Sequence, residues 1–212
     1  MDGRSRPGEA THSPRPRTYP IPPHHWRILD AVRYISEAGA DPSFLLKALG
    51  EANGELRRSL YSMPRRSLLL EGDGRDEGWC LMGIAVHLRD TEIGVAEQIE
   101  TIINAPRSRK NEPDLRHVDI DDIPLIADCV DEDCEDALED YRFYRRHTTY
   151  QLWDISSAEW ARAGIQQFRG RRTITEITRE LYQHDLEHLW QAQRMIEALS
   201  RTPARIAPHT VN

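Results

Sequence analysis

From Asp41 to Leu199 the apolar residues of this chain recur every three or four positions, and nowhere alternate for long. That period belongs to the α-helix, whose 3.6 residues per turn collect such positions on one face. No window predicts a strand, so the fold must be built by packing helical stripes against one another. Four stripes are long. Asp41-Pro42 supplies an N-cap and a first-turn proline for a helix carrying Leu45, Ala48, Leu49, Ala52, Leu56 and Leu60 to about Met63. Gly50 and Gly54 each weaken that helix by about 1 kcal/mol relative to alanine. A second helix runs from Trp79 to about Asn104 with Ile84, His87, Leu88, Thr91, Val95, Ile99 and Ile102 on one face. A third spans about Glu132 to Asp154, with Ala137, Tyr141, Tyr144, Thr148 and Leu152 inward. Thr173-x-x-Glu176 is a capping box that opens the last helix, which reaches about Leu199.

Shorter features fill the gaps. A helix is expected from Trp26 to Ala38, stopped by Gly39, and Ser156-x-x-Glu159 caps a short one around Trp160. Gly170 breaks the chain. Between the second and third long helices lie 27 residues, Ala105 to Asp131, without clear periodicity. Adjacent antiparallel helices need only about 2–8 linking residues, so this segment reads as a crossover the length of the bundle. The expected architecture is an all-α four-helix bundle with one long crossover connection and a short extra N-terminal helix. Residues 1–22, rich in Pro and Arg, read as a flexible arm, residues 23–200 as the bundle and residues 201–212 as a tail.

Charge is local. The chain holds 28 Lys+Arg against 35 Asp+Glu in 212 residues, yet 11 acidic residues and no basic one fall between Asp119 and Asp140. The remainder is slightly basic, so the net −7 indicates no nucleic-acid partner and excludes none. Cys80, Cys129 and Cys134 are too few and too irregular for a disulfide framework and suit a reducing compartment. Met1 to Pro23 contains no apolar run, and no stretch approaches the roughly 18 apolar residues of a membrane span. A cytoplasmic protein that does not engage a membrane is the expectation.

Chemistry enters through histidine. His184 and His188 stand four residues apart, on one face of the last helix, where two imidazoles can reach one ion. They lie in the stripe Ile174, Ile177, Leu181, His184, His188, Ala192, Met195 and Leu199, where core residues belong. His87 occupies the equivalent place on the second helix. Burying three neutral rings without partners costs roughly 1–3 kcal/mol each. A shared metal ion would satisfy all three; separate hydrogen bonds to carbonyls or carboxylates would also do so. His184-x-x-Glu187-His188 matches the pattern of inverted zinc peptidases, but Glu187 points about 100° away from His188 around the helix.

His87-Leu-Arg-Asp-Thr-Glu92 on one helix and His184-Asp-Leu-Glu-His188-Leu-Trp-Gln191 on the last resemble the DinB-like family, over roughly residues 41–199. The resemblance implies a four-helix bundle that binds a divalent metal, usually nickel or zinc, through His87, His184 and His188. Three histidines leave coordination positions open, the arrangement of a catalytic site. Similar proteins include thiol-dependent isomerases and S-transferases, which use a low-molecular-weight thiol, as well as hydrolases. The expectation is therefore a metal-dependent transferase or isomerase, with a hydrolase, or a non-catalytic metal- or ligand-binding stress-response bundle, as alternatives. A small-molecule substrate and a homodimer are the expected partners. Asp90, Glu92, Asp185 and Glu187 are candidates for orienting the imidazoles.

Other features read as structural. Asp131-Glu-Asp-Cys-Glu-Asp136 lacks the glycine at its sixth position and has Arg142 at its twelfth, which breaks the calcium-loop pattern. Its acids suit the positive end of a helix dipole. Arg169, Arg171 and Arg172 are expected to pair with the acidic stretch. His24-His25 reads as a surface pair, His147 could approach the bundle interior but lies in no clear stripe and is left out of the ligand set, and Cys80 reads as an inert buried thiol.

Overall fold

The computed structural model describes residues 41–107, 112–120 and 122–201. The expected helix Trp26–Ala38 and the 1–22 arm lie outside them, as does the tail beyond Arg201. Four long helices dominate: α1 (Pro42–Leu60), α3 (Leu81–Asn104), α5 (Cys134–Asp154) and α7 (Ile174–Arg201), with α2 (Arg65–Leu68), α4 (Ile126–Cys129) and α6 (Ser157–Trp160) as single turns between them.

Their ends follow local chemistry. The Asp41 carboxylate accepts the Ser43 N–H ahead of Pro42, Asp133 accepts from Glu135 and Asp136 at the start of α5, and Glu159 and Glu176 reach back to Ser156 and Thr173 as both boxes predict. The α3 N-cap is unusual: it is Cys80, whose Sγ accepts the Gly83 N–H at 3.2 Å.

In the bundle α1 packs on α5 and α7, and α3 packs on the same two helices. Arg57 meets Glu139 while Arg145 donates to the Leu49 carbonyl, so α1 and α5 run antiparallel. On α3 and α5 the pairs Arg89–Glu132 and Glu92–Thr148 ascend together, so these two helices are parallel. The crossover thus returns the chain from one end of the bundle to the other. His87 against His184 and Asp76 against Arg194 make α7 antiparallel to α3. The core lies where the stripes meet, with Leu45, Leu49, Leu56, Ile84, Leu88, Ile99, Ala137 and Ile174 fully or almost fully buried.

The alternation pattern predicts no strand, yet three short ones form. β1 (Asp114–Leu115), within the crossover, pairs in parallel with β2 (Ala163–Gln166), and β2 pairs antiparallel with β3 (Gly170–Thr173). Strands of two to four residues are too short for a period of two to register. Gly170, at φ +69°, closes the hairpin in the left-handed region that favours glycine. A Cβ on Gly164 would meet the Leu115 side chain at 2.6 Å, so this glycine lets the crossover lie against the hairpin.

Candidate metal centre

His87 stands in the second turn of α3, and His184 and His188 stand midway along α7. The antiparallel pairing of these helices brings the three rings together. They are 5 %, 7 % and 9 % exposed. His87 Nε2 lies 2.8 Å from His184 Nε2, which lies 3.1 Å from His188 Nε2. One ligand atom from each of the three falls within 4.8 Å of the others, and among the described residues no other trio of histidine, cysteine or carboxylate groups converges so closely.

Burial sets the protonation. Desolvation, then the neighbouring His188, lowers the His87 pKa to about 4. Desolvation, followed by His188 and His87, lowers that of His184 to about 2. His188 is lowered by burial, with Gln191 opposing. All three rings are neutral at pH 7, as metal ligands must be. Gln191 Oε1 lies 2.8 Å from His188 Nδ1; an amide oxygen only accepts, so that proton sits on Nδ1 and the Nε2 lone pair faces the other rings. The Ile120 main chain favours the charged forms of His87 and His184, but gives His184 Nδ1 no hydrogen bond of normal geometry.

This arrangement fits a metal ion better than a hydrogen-bonded cluster. Three nitrogens in contact cannot all find donors among themselves, and a buried ring nitrogen is left over. Zinc–nitrogen bonds of about 2.0–2.1 Å at angles of about 90–110° put ligand nitrogens about 2.9–3.4 Å apart, close to the spacing here.

The walls come from three directions. The half-buried Trp79 ring packs at 5.3 Å from His87 and 5.0 Å from His188, between centroids. The crossover residues 116–120 lie over the rings, clamped by Gln98, whose amide donates to the Arg116 carbonyl at 2.6 Å. Val118 sits so close to α3 that a Cβ on Gly94 would meet it at 2.6 Å. On one side of this segment a cavity of about 590 Å³ reaches His87, with Arg89, Arg116, Asp119 and Asp128 in its wall. On the other a pocket of about 40 Å³ reaches His184.

The four carboxylates considered as orienting groups take other roles. Gln191 holds His188 instead. Asp90 pairs with Arg89, and Glu187 is exposed. Glu92 and Asp185 turn to a residue that the stripe reading missed. Arg145, not Tyr144, faces inward on α5, and its guanidinium is 3 % exposed. Its Nε donates to Glu92 at 2.9 Å, Nη1 to Asp185 at 2.6 Å and to the Leu49 carbonyl at 2.8 Å, and Nη2 to the Tyr141 hydroxyl at 3.0 Å. Thr148 donates to the other Glu92 oxygen at 2.6 Å. Burial raises the Asp185 pKa, with Arg145 opposing, while Asp185 and Glu92 hold Arg145 well above its usual range against the cost of burial. The signal was present: Tyr141, Arg145, Thr148 and Leu152 follow a seam spacing of four, three and four.

The remaining expectations divide. His147 is exposed, and His24-His25 lies outside the described residues. Cys80 is buried, and burial pushes the Cys129 and Cys134 thiols up to about 11. Arg171 pairs with Glu112, and Arg169 and Arg172 with Glu180, instead of with the stretch from Asp119 to Asp140. Glu112, just before β1, and Glu180, on α7, lie nearer to the hairpin.

The fold is a YfiT-type four-helix bundle, here carrying a buried three-histidine cluster. Among solved structures, YfiT from Bacillus subtilis aligns with a TM-score of 0.63 at 14 % identity, covering 75 % of this chain and 87 % of that one. YfiT is described as "a probable metal-dependent hydrolase with an unusual four-helix bundle topology". At that identity the likeness establishes the fold. No family model matches the sequence, and no curated protein matches it. No helix among the described residues is long and apolar enough to cross a membrane.

Proposed function

We propose that the chain is a metal-dependent enzyme in which His87, His184 and His188 hold a divalent ion that activates a small nucleophile. The observation that carries this reading is the meeting of three buried, neutral imidazoles at the edge of a cavity. Imidazole donors suit zinc and nickel, and three of them leave a position for a reactant. Bound there, such an ion supplies the Lewis acidity that brings water or a thiol to its nucleophilic form near pH 7. The chain's own contributions are positional. Gln191 fixes the His188 ring, Trp79 and the 116–120 segment exclude bulk water, and the cavity beside His87 admits the substrate. Its mixed wall of arginines and carboxylates suits a polar molecule. The nucleophile is water in a hydrolase, or a low-molecular-weight thiol in a transferase or isomerase.

Elemental analysis of untagged protein tests the site. About one equivalent of nickel or zinc is expected in the native chain and none in His184→Ala; no metal in either, from cells supplied with both ions, would overturn it. Metal-loaded protein is then assayed with esters and amides, and with bacterial thiols plus electrophiles. Turnover lost in His184→Ala identifies the nucleophile, and no turnover across both panels overturns the enzymatic reading.

A further inference from the structure

The helix-weakening pair Gly50 and Gly54 has no role in the metal centre, and its surroundings explain it. Both face a groove between α1 and α5 with a volume of about 730 Å³. A Cβ on Gly50 would meet nothing within 4 Å, so the α1 wall is bare backbone there. Antiparallel packing sets one helical stripe, Gly50, Asn53, Gly54 and Arg57, against another, Arg142, Arg146 and Thr149.

We propose that this groove binds a phosphorylated small molecule. Two of its buried polar atoms are donors that lack acceptors. Asn53 is 6 % exposed, and its Nδ2 has no acceptor among the described residues; neither has the buried Nε of Arg57. Arg57 and Arg142 share one carboxylate, Glu139, and Arg58 takes Glu55. Arg146 is exposed and has no carboxylate at ion-pair distance among the described residues. Four guanidinium groups therefore face two carboxylates, a surplus of two positive charges. A phosphate monoester carries about −1.5 to −2 at pH 7 and only acceptor oxygens, which matches both the charge and the missing hydrogen bonds. A metal cation matches neither, and an uncharged polyol supplies acceptor oxygens but leaves the charge uncompensated. Arginine is suited to this by its planar fork of donors. The groove lies within the roughly 300–1,000 Å³ of small-molecule sites, which leaves room for an organic body on the phosphate. Tyr61, already under the Arg57 guanidinium at 5.0 Å, offers that body a flat face. Arg145 also borders the groove, but its N–H groups are spent on Glu92, Asp185, Leu49 and Tyr141, so it adds no donor.

The test is calorimetric titration of the metal-loaded full chain with inorganic phosphate and with phenyl phosphate at constant ionic strength. Arg146→Gln removes the unpaired cation, and Gly50→Glu places an anionic side chain in open space within a helix, where folding tolerates it. Each is expected to weaken binding about tenfold or more, since a hydrogen bond to a charged group is at stake. His184→Ala is expected to leave the same binding unchanged, which separates the groove from phosphate held at the metal centre. Three results would overturn the proposal: no binding of either probe at 10 millimolar, binding indifferent to both groove variants, or binding lost in His184→Ala alone. So would groove-dependent binding of a single-stranded RNA 12-mer by a protein that ignores both phosphates.

Discussion

Arg145 is the residue whose removal the structure predicts most sharply. Replacing it by methionine keeps the length of the stem and deletes the guanidinium. Glu92 and Asp185, 0 % and 1 % exposed, are then left as two carboxylates in the core without their cation. Glu92 retains the Thr148 hydroxyl, whereas Asp185 loses the Arg145 Nη1 contact at 2.6 Å, and its Oδ1 already has no hydrogen-bond partner. Removing one member of a buried ion pair costs about 3–5 kcal/mol, mostly the penalty of the charge left behind. With a urea slope of about 2 kcal/mol per molar, the Arg145→Met midpoint should fall by about 2 M, read by circular dichroism on metal-free protein. Glu92→Gln should cost less, about 1–3 kcal/mol, because Arg145 keeps Asp185. The triple variant Arg145→Met, Glu92→Leu, Asp185→Leu should recover most of the loss, since an apolar set of similar volume leaves no charge unpaired. A midpoint shift below about 0.5 M for Arg145→Met, or a triple variant less stable than the single one, would refute the reasoning.

Two further outcomes follow from the centre itself. Because burial holds the His87 pKa down to about 4, the unfolded chain takes up protons first on acidification, and metal-free protein should lose about 2 kcal/mol from this ring alone between pH 7 and pH 5; a urea midpoint that stays flat over that window would contradict the neutral cluster. Gln191→Leu removes the acceptor for His188 Nδ1, so metal affinity should fall about 10–100-fold in a chelator competition, while the urea midpoint of the metal-free protein falls by about 0.5–1.5 M for the one buried donor left unsatisfied; unchanged affinity would show that Gln191 does not orient the ligand.

Legibility in the sequence tracked the range of the interaction. Asp41-Pro42 and the two capping boxes act within four residues, and the structure shows each in place. The four stripes needed only each helix's own period, and the three histidines were visible because each interrupts such a stripe. The length of the Ala105–Asp131 connection implied the crossover, because a parallel α3–α5 pair requires one. What failed to show was short or non-local. The β2–β3 hairpin is local but only four residues a side, and the β1–β2 pairing joins residues about fifty apart through backbone bonds that leave no side-chain pattern. Arg145 finds its partners on α1, α3 and α7, and a charged residue one place from an aromatic one looks like the solvated side until those helices are assembled. Gln191 was in plain view three residues beyond His188, but a carboxylate was the partner sought.

Trp79 lies edge-on or tilted against two of the three imidazoles, at ring distances of 5.3 and 5.0 Å, which gives the centre an optical handle. Of the chain's five tryptophans, it is the one among the described residues whose ring touches the cluster. An ion with an open d shell at that range drains the excited indole, whereas zinc, with its filled shell, leaves it emitting. The share of fluorescence that belongs to Trp79, isolated by difference from a Trp79→Phe chain, would therefore distinguish nickel-loaded from zinc-loaded protein without its being unfolded or digested.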